Sequence, residues 1–344
     1  MTAHADRPAQ TRAGVLPASI RSHPYIFASL AATAALVACA MVNRRLADRA
    51  ERDNPPAGRF LYIDGVRLHY LERGQGEPVV LLHGNGSMVQ DFESSGLLDS
   101  AAQRHRVIVF DRPGFGHSER PRNRTWTAEA QADLLRRALD VLGIRRAIVL
   151  GHSWGASVAV ALAAAHPETV KGLVLASGYY YPTARADVLM LAGPAIPVLG
   201  DVARFTVSPM IGRLLWRKLL DRVFGPNPVP RKFAGFPKEM ALRPSQIRAA
   251  AEESAIMIPQ AMRLRHEYRD LRMPIVIVAG ENDQIVDFAR QSGRLHAELP
   301  GSELLCVAQH GHMIHQTATD WVTQAIELAG ENAPQFSFVK DGDG

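Results

Sequence analysis

The sequence predicts an α/β fold: a doubly wound, mostly parallel sheet of eight strands with a helical cap inserted into it. Three observations predict this. Six short, continuous apolar runs recur at residues 79–82, 107–110, 147–150, 173–176, 275–278 and 304–307, and such runs suit parallel strands covered on both faces. Ahead of them, residues 60–63 and 66–71 flank Asp64-Gly65 in the pattern of an antiparallel hairpin, which brings the strand count to eight. From residue 179 to about 272 the rhythm stops, prolines accumulate and no strand pattern appears; a stretch that long is too large for a loop.

Taken in order, residues 1–24 are polar and read as a tail. Residues 25–42 carry no charge and are bounded by Arg21 and by Arg44-Arg45. Their length sits at the lower limit for crossing a bilayer, and a membrane anchor is expected. A cleaved signal peptide and a lipoprotein box ending at Cys39 are the competing fates. Arginines on both flanks leave the orientation open. Residues 43–58 close on Asn54-Pro55-Pro56-Ala57-Gly58 and read as a linker. The core then occupies residues 59–178 and 273–330. Within it, residues 127–142 place Ala130, Leu134, Leu135, Ala138, Val141 and Leu142 on one helical stripe that Gly143 can stop.

The cap, residues 179–272, leaves the C-terminal end of a strand and so lies over the edge where such sheets bind ligands. Its most apolar piece, residues 210–224, mixes Arg213, Arg217, Lys218 and Arg222 among leucines. Because the charges do not segregate onto one face, packing within the cap is expected rather than membrane insertion. Residues 331–344 read as a second polar tail.

Composition sets outer bounds. With 344 residues and 47% hydrophobic content the chain can bury a sizeable core. Cys39 and Cys306 stand in unrelated settings, so neither a disulfide nor a cysteine metal site is expected. The net charge of +5 is scattered, with no basic block interleaved with aromatics. Nucleic acid is therefore not an expected partner, whereas a mild attraction to anionic lipid head groups is. Nothing in the sequence speaks to oligomeric state.

Chemistry concentrates in three loops. Gly151-His152-Ser153-Trp154-Gly155 follows a predicted strand and opens an Ala/Val-rich helix, the context in which a serine is presented in a sharp turn. A serine hydroxyl becomes a useful nucleophile when a base stands beside it and N–H groups await the oxyanion. Asp283, in the loop after residues 275–278, is the candidate acid, with Glu281 as fallback. His312, after residues 304–307, is the candidate base, with His310 as fallback and His315 nearby. The order Ser, Asp, His is the one this kind of sheet presents. The backbone N–H groups of Asn85, in His83-Gly84-Asn85-Gly86, and of Trp154 are the candidate oxyanion donors. The histidine cluster lacks a cysteine or a second His-rich loop, so no metal is expected, and no organic cofactor is needed.

With these residues in place, the chain resembles the α/β-hydrolase superfamily, in the lid-bearing branch of esterases, haloperoxidase-like proteins, epoxide hydrolases and proline iminopeptidases. Asp111-Arg112-Pro113-Gly114-Phe115-Gly116-His117-Ser118 and Gly311-His312-Met313 complete the landmarks. The resemblance covers residues 59–330. It implies a serine hydrolase with Ser153, His312 and Asp283 as its triad, acting on a small-molecule ester through an acyl-enzyme. Amide, C–C and peroxide-dependent chemistry on the same triad are the alternatives, and a catalytically silent, membrane-tethered binding protein is the rival of another class. Epoxide hydrolases and dehalogenases of this superfamily carry an aspartate where Ser153 stands. Glu252 and Glu253 are candidates to hold a substrate amine, or else a solvated helix face.

Overall fold

The computed structural model describes residues 24–183 and 192–331. Both terminal tails, apart from Pro24 and Glu331, and residues 184–191 of the cap lie outside the described residues. Helix α1 (Pro24–Asp53) runs unbroken for 30 residues, so the linker expected from residue 43 is helical as far as Asp53. The physical reason is docking: Ala50 is buried against Phe233, Phe236 and Met240 of the cap, and Asn43 is buried as well. Asn54, followed by two prolines, ends the helix, its amide N–H donating back to the Ala50 carbonyl.

The core follows as β1 (Arg59–Ile63), β2 (Val66–Arg73), β3 (Glu77–Leu82), α2 (Val89–Ser95), α3 (Leu97–Ala101), β4 (His105–Phe110), α4 (Ala128–Val141), β5 (Ala147–His152), α5 (Trp154–Ala165) and β6 (Val170–Ala176). The cap contributes α6 (Leu199–Phe205), α7 (Val207–Phe224), α8 (Lys238–Ala241) and α9 (Pro244–Leu264), with no strand among the described residues. The core closes with β7 (Ile275–Gly280), α10 (Arg294–Glu298), β8 (Ser302–Val307), α11 (Ile314–Thr317) and α12 (Thr319–Glu331).

The eight strands form one sheet in the order β1-β2-β4-β3-β5-β6-β7-β8. β2 pairs antiparallel with both β1 and β4, and the remaining pairs are parallel. Alternate residues of each central strand enter opposite layers. Val80, Leu82, Ile108 and Val149 pack on α4 and α5, while Val79, Leu81, Val107 and Leu150 pack on α2, α3 and α12. Both faces are covered, which is why the strands read as continuous apolar runs. β8 departs from this pattern. It is the edge strand, only Val307 in it is buried, and Cys306 is exposed.

α4 begins where Thr127 caps it, its hydroxyl accepting the Ala130 N–H, and is followed by Gly143 at φ 70°. α7 departs from the expectation of packing within the cap. Among its 18 residues only Pro209 and Phe224 are buried, because the helix touches the cap along the line of Trp216, Leu220 and Val223 and leaves its other side open.

Candidate active site

β3 and β5 are neighbours whose onward connections leave in opposite directions, β3 to β4 and β5 to β6. A crevice opens at their C-terminal ends for that reason. Ser153 follows β5 directly and sits at φ 54°, ψ −118°, a conformation that a non-glycine residue holds only when its surroundings impose it. They do so here. The Ser153 N–H donates to Ala176 O on β6 at 2.9 Å, and the next turn is helix α5. The flanking glycines are required by closeness rather than by dihedral. A Cβ on Gly151 would stand 2.3 Å from Gly155 O, and one on Gly155 would stand 2.2 Å from Leu82 O.

The structure brings the three sequence-predicted side chains together. His312 Nε2 lies 3.0 Å from Ser153 Oγ, and His312 Nδ1 lies 2.8 Å from Asp283 Oδ2. Asp283 Oδ1 accepts the N–H groups of Ile285 at 2.7 Å and Val286 at 2.9 Å, which leaves Oδ2 aimed at the histidine. A carboxylate at Nδ1 selects the tautomer whose Nε2 lone pair faces the hydroxyl. Such an arrangement can take a proton from the serine and hold the imidazolium that results. The fallback residues are elsewhere: Glu281 is exposed, and His310 is spent on the carbonyls of Ala308 and Thr317.

Asn85 stands beside the serine through its neighbour, since a Cβ on Gly84 would lie 3.1 Å from Ser153 Cβ. Its side-chain amide donates to Ala250 O and Ser254 Oγ of α9, both at 3.1 Å. Its backbone is aimed by Arg112, a residue without a role in the sequence reading beyond its motif. The guanidinium donates to His83 O at 2.8 Å and Gly84 O at 3.0 Å. In a trans peptide the carbonyl and the following N–H point opposite ways, so holding Gly84 O against Arg112 turns the Asn85 N–H away from it. The Trp154 N–H, at the first position of α5, is one of the donors a helix N-terminus leaves without an intrahelical partner.

Arg112 is itself fully buried and paired with Glu253, also fully buried. Glu252 pairs with Arg120 and Arg248. Neither glutamate is free for a substrate amine, and the solvated-face reading of Glu253 does not hold. Asp111 braces the same region. Its oxygens accept from Val89 N–H and His117 N–H and face His69 Nδ1 at 2.7 Å. Gly116, at φ 51°, has no room for a Cβ beside that carboxylate.

A second layer behind the serine escaped the sequence reading. His152 Nε2 is 3.0 Å from the carbonyl of His312, and its ring centroid is 4.3 Å from that of His315. His315 Nε2 in turn lies 3.0 Å from Asp91 Oδ1. Burial, then the charges of His315 and His312, lower the His152 pKa far below the usual histidine value, so it stays neutral as a donor. Burial alone would raise the Asp91 carboxyl, but His315 and the Gln316 amide outweigh it and hold it below the ordinary range. These three buried groups converge as a cation's ligands would. The carboxylate, however, already accepts from Gln316 and from the Ser87 hydroxyl. The only trace in the sequence was His315 in the histidine cluster.

Apolar side chains complete the rim. Tyr179, Ala261 and Val286 pack with Met257, Ile258 and Ile285 beside the Asp283 loop. An open concavity lined by Met273, Glu298 and Glu303 lies at the opposite end of β7 and β8, and no histidine borders it.

Comparison with known proteins identifies the family. The chain is 30% identical over 249 residues to 2-hydroxymuconate semialdehyde hydrolase of Pseudomonas sp. (strain CF600), covering 69% of this chain and 81% of that one. Among solved structures, a membrane phospholipase A described as a bacterial virulence factor superposes with TM-score 0.61 at 24% identity, over 92% of this chain and 96% of its own. A meta-cleavage product hydrolase from Pseudomonas fluorescens IP01 superposes with TM-score 0.60 at 22% identity, over 80% and 98%. Residues 77–319 match the family model of the alpha/beta hydrolase fold, and the chain belongs to that family.

Proposed function

We propose that this chain is a membrane-anchored serine hydrolase that cleaves a carboxylic ester through an acyl-enzyme. The observation that carries the reading is the unbroken line from Asp283 Oδ2 through His312 to Ser153 Oγ, at 2.8 and 3.0 Å. Ser153 Oγ attacks the carbonyl as His312 Nε2 takes its proton, and the tetrahedral oxyanion forms against the N–H groups of Asn85 and Trp154. His312 returns the proton to the leaving alcohol. Water then attacks the acyl carbonyl as His312 takes its proton, and the bond to Ser153 Oγ breaks as His312 returns that proton to the serine and the acid leaves. Each oxyanion donor is worth about a hundred- to a thousandfold in rate. The apolar cluster around Met257 and Val286 supports an apolar acyl group.

Support for the anchor comes from α1, which is long and apolar enough to cross a membrane and whose apolar window is unburied. It also comes from the fold likeness to a protein described as a membrane phospholipase A.

A second reading, hydrolysis of a C–C bond on the same triad, is favoured by the 30% identical relative named for 2-hydroxymuconate semialdehyde.

The test is labelling of the full chain by a fluorophosphonate probe, followed by parallel assays on aliphatic esters and on a meta-cleavage product. Labelling is expected in the unsubstituted chain and absent in Ser153→Ala. Turnover of the meta-cleavage product without turnover of esters would replace the first reading by the second. A folded chain that neither labels nor turns over any substrate would leave the silent scaffold.

A further inference from the structure

Apolar side chains on a soluble surface are normally scattered singly. Here, among the described residues, all but four of the large exposed apolar side chains lie in two segments, α1 and residues 196–219; the four exceptions are Tyr62, Val141, Met262 and Trp321. In the second segment Val198 is 73%, Leu199 72% and Leu214 81% exposed.

The two segments form one surface. Cys39 Sγ lies 3.2 Å from Thr206 O, and the Asn43 amide donates to Thr206 O and to Phe205 O. Arg213 reaches Asn43 Oδ1 at 2.7 Å. The corner between α6 and α7 is therefore clamped to α1 at the level where its uncharged run ends, one residue before Arg44-Arg45. If residues 25–42 sit in lipid, the bilayer boundary passes through that corner.

α7 is zoned along its length in a way that matches. Its exposed side begins with Val207, Met210, Ile211, Leu214 and Leu215 next to the anchor, and toward its far end carries Arg217 and Lys218 beside Leu219. Apolar groups at acyl depth followed by cations at phosphate depth is the order an anionic leaflet presents. The far end of α7 meets the catalytic rim. Gly225 O would stand 2.0 Å from a Cβ on Gly311, and Gln284 adjoins Gly225. Helix geometry puts about 27 Å between the ends of α7.

We infer that the α6–α7 corner lies in the membrane interface as a second contact beside α1, and that the ester is a long-chain acyl lipid drawn from the leaflet along α7 to Ser153. This rests on the anchored-hydrolase reading above.

The test uses the full chain with vesicles of phosphatidylcholine and phosphatidylglycerol. Flotation of the unsubstituted chain reads the anchor, and failure to float overturns both the anchor and the corner. The double variant Leu199→Asp, Leu214→Asp should still float and still hydrolyse a short, water-soluble ester at the original rate. Its turnover of a vesicle-borne long-chain ester should fall by about tenfold or more, because acids resist the acyl region. Unchanged turnover of the vesicle ester overturns the inference, and so does a dimer-to-monomer change with that turnover unaltered, which would make the face an interface between copies. Should the double variant lose the soluble activity too, Leu214→Trp and Val141→Trp decide. Brominated acyl chains should quench the added emission at position 214 and not at 141, and equal quenching overturns the inference.

Discussion

Arg112 has no exposed surface, so its charge depends on Glu253 for compensation. Arg112→Met would leave the buried glutamate with only Gln131 and the longer 3.9 Å approach of Arg120, and urea unfolding should show a loss of about 3 kcal/mol. The pair Arg112→Met, Glu253→Leu should recover most of that stability without recovering turnover, since the Gly84 carbonyl would still lack the donor that aims the Asn85 N–H. Recovery of both would show that Arg112 is packing alone. His83 sets a second expectation. Burial, then the charge of Arg112, push its pKa from 6.5 down to about 3. Its folded value lies below its unfolded one, so the unfolded chain binds the extra proton between those limits. Stability is complete above the unfolded value and is lost as pH falls through the window, by on the order of 2 kcal/mol near pH 5 from this group. Thermal unfolding at neutral and mildly acid pH reads it, and a smaller fall of the midpoint on acidification in His83→Gln than in the unsubstituted chain would confirm the source.

At the scale of elements, α1 is two things in one helix. Its first half is bare, while its second half is built into the cap by Asn43, Ala50 and the Glu51–Arg243 ion pair. Removing residues 1–38 should leave the unfolding free energy unchanged. Removing residues 1–53 should lower it by on the order of 2 kcal/mol through the lost hydrogen bonds and contacts; equal stability of the two truncations would refute the docking. The difference also explains what could be read beforehand. Strands β3 to β7 were legible because both of their faces are buried, so each announced itself as an apolar run. The helical continuation through Asp53 was not, because residues 44–53 are charged on the outside and their contacts lie far along the chain. α7 misled for a related reason. Its leucines and arginines alternate around the helix, and only their zoning along its length, visible once α1 is beside it, separates them.

For the molecule as a whole, the line of the site was legible at Ser153, Asp283 and His312 because loops after successive strands must converge on one edge of the sheet. The bracing was not. Asp91, Arg112, His152 and His315 act on backbone carbonyls, charges and rings brought together only by folding, and their spacing carries no signature. That dispersal has a consequence for the making of the protein. α1 and the apolar corner of α6 and α7 both precede His312, which belongs to the last loop before the final helices. Domains this long, with contacts between residues so far apart, condense late and expose sticky surface in the meantime. On the proposed anchoring, a nascent chain of this layout gains its affinity for lipid before it gains His312, and the expected order is contact with the bilayer first and chemistry after.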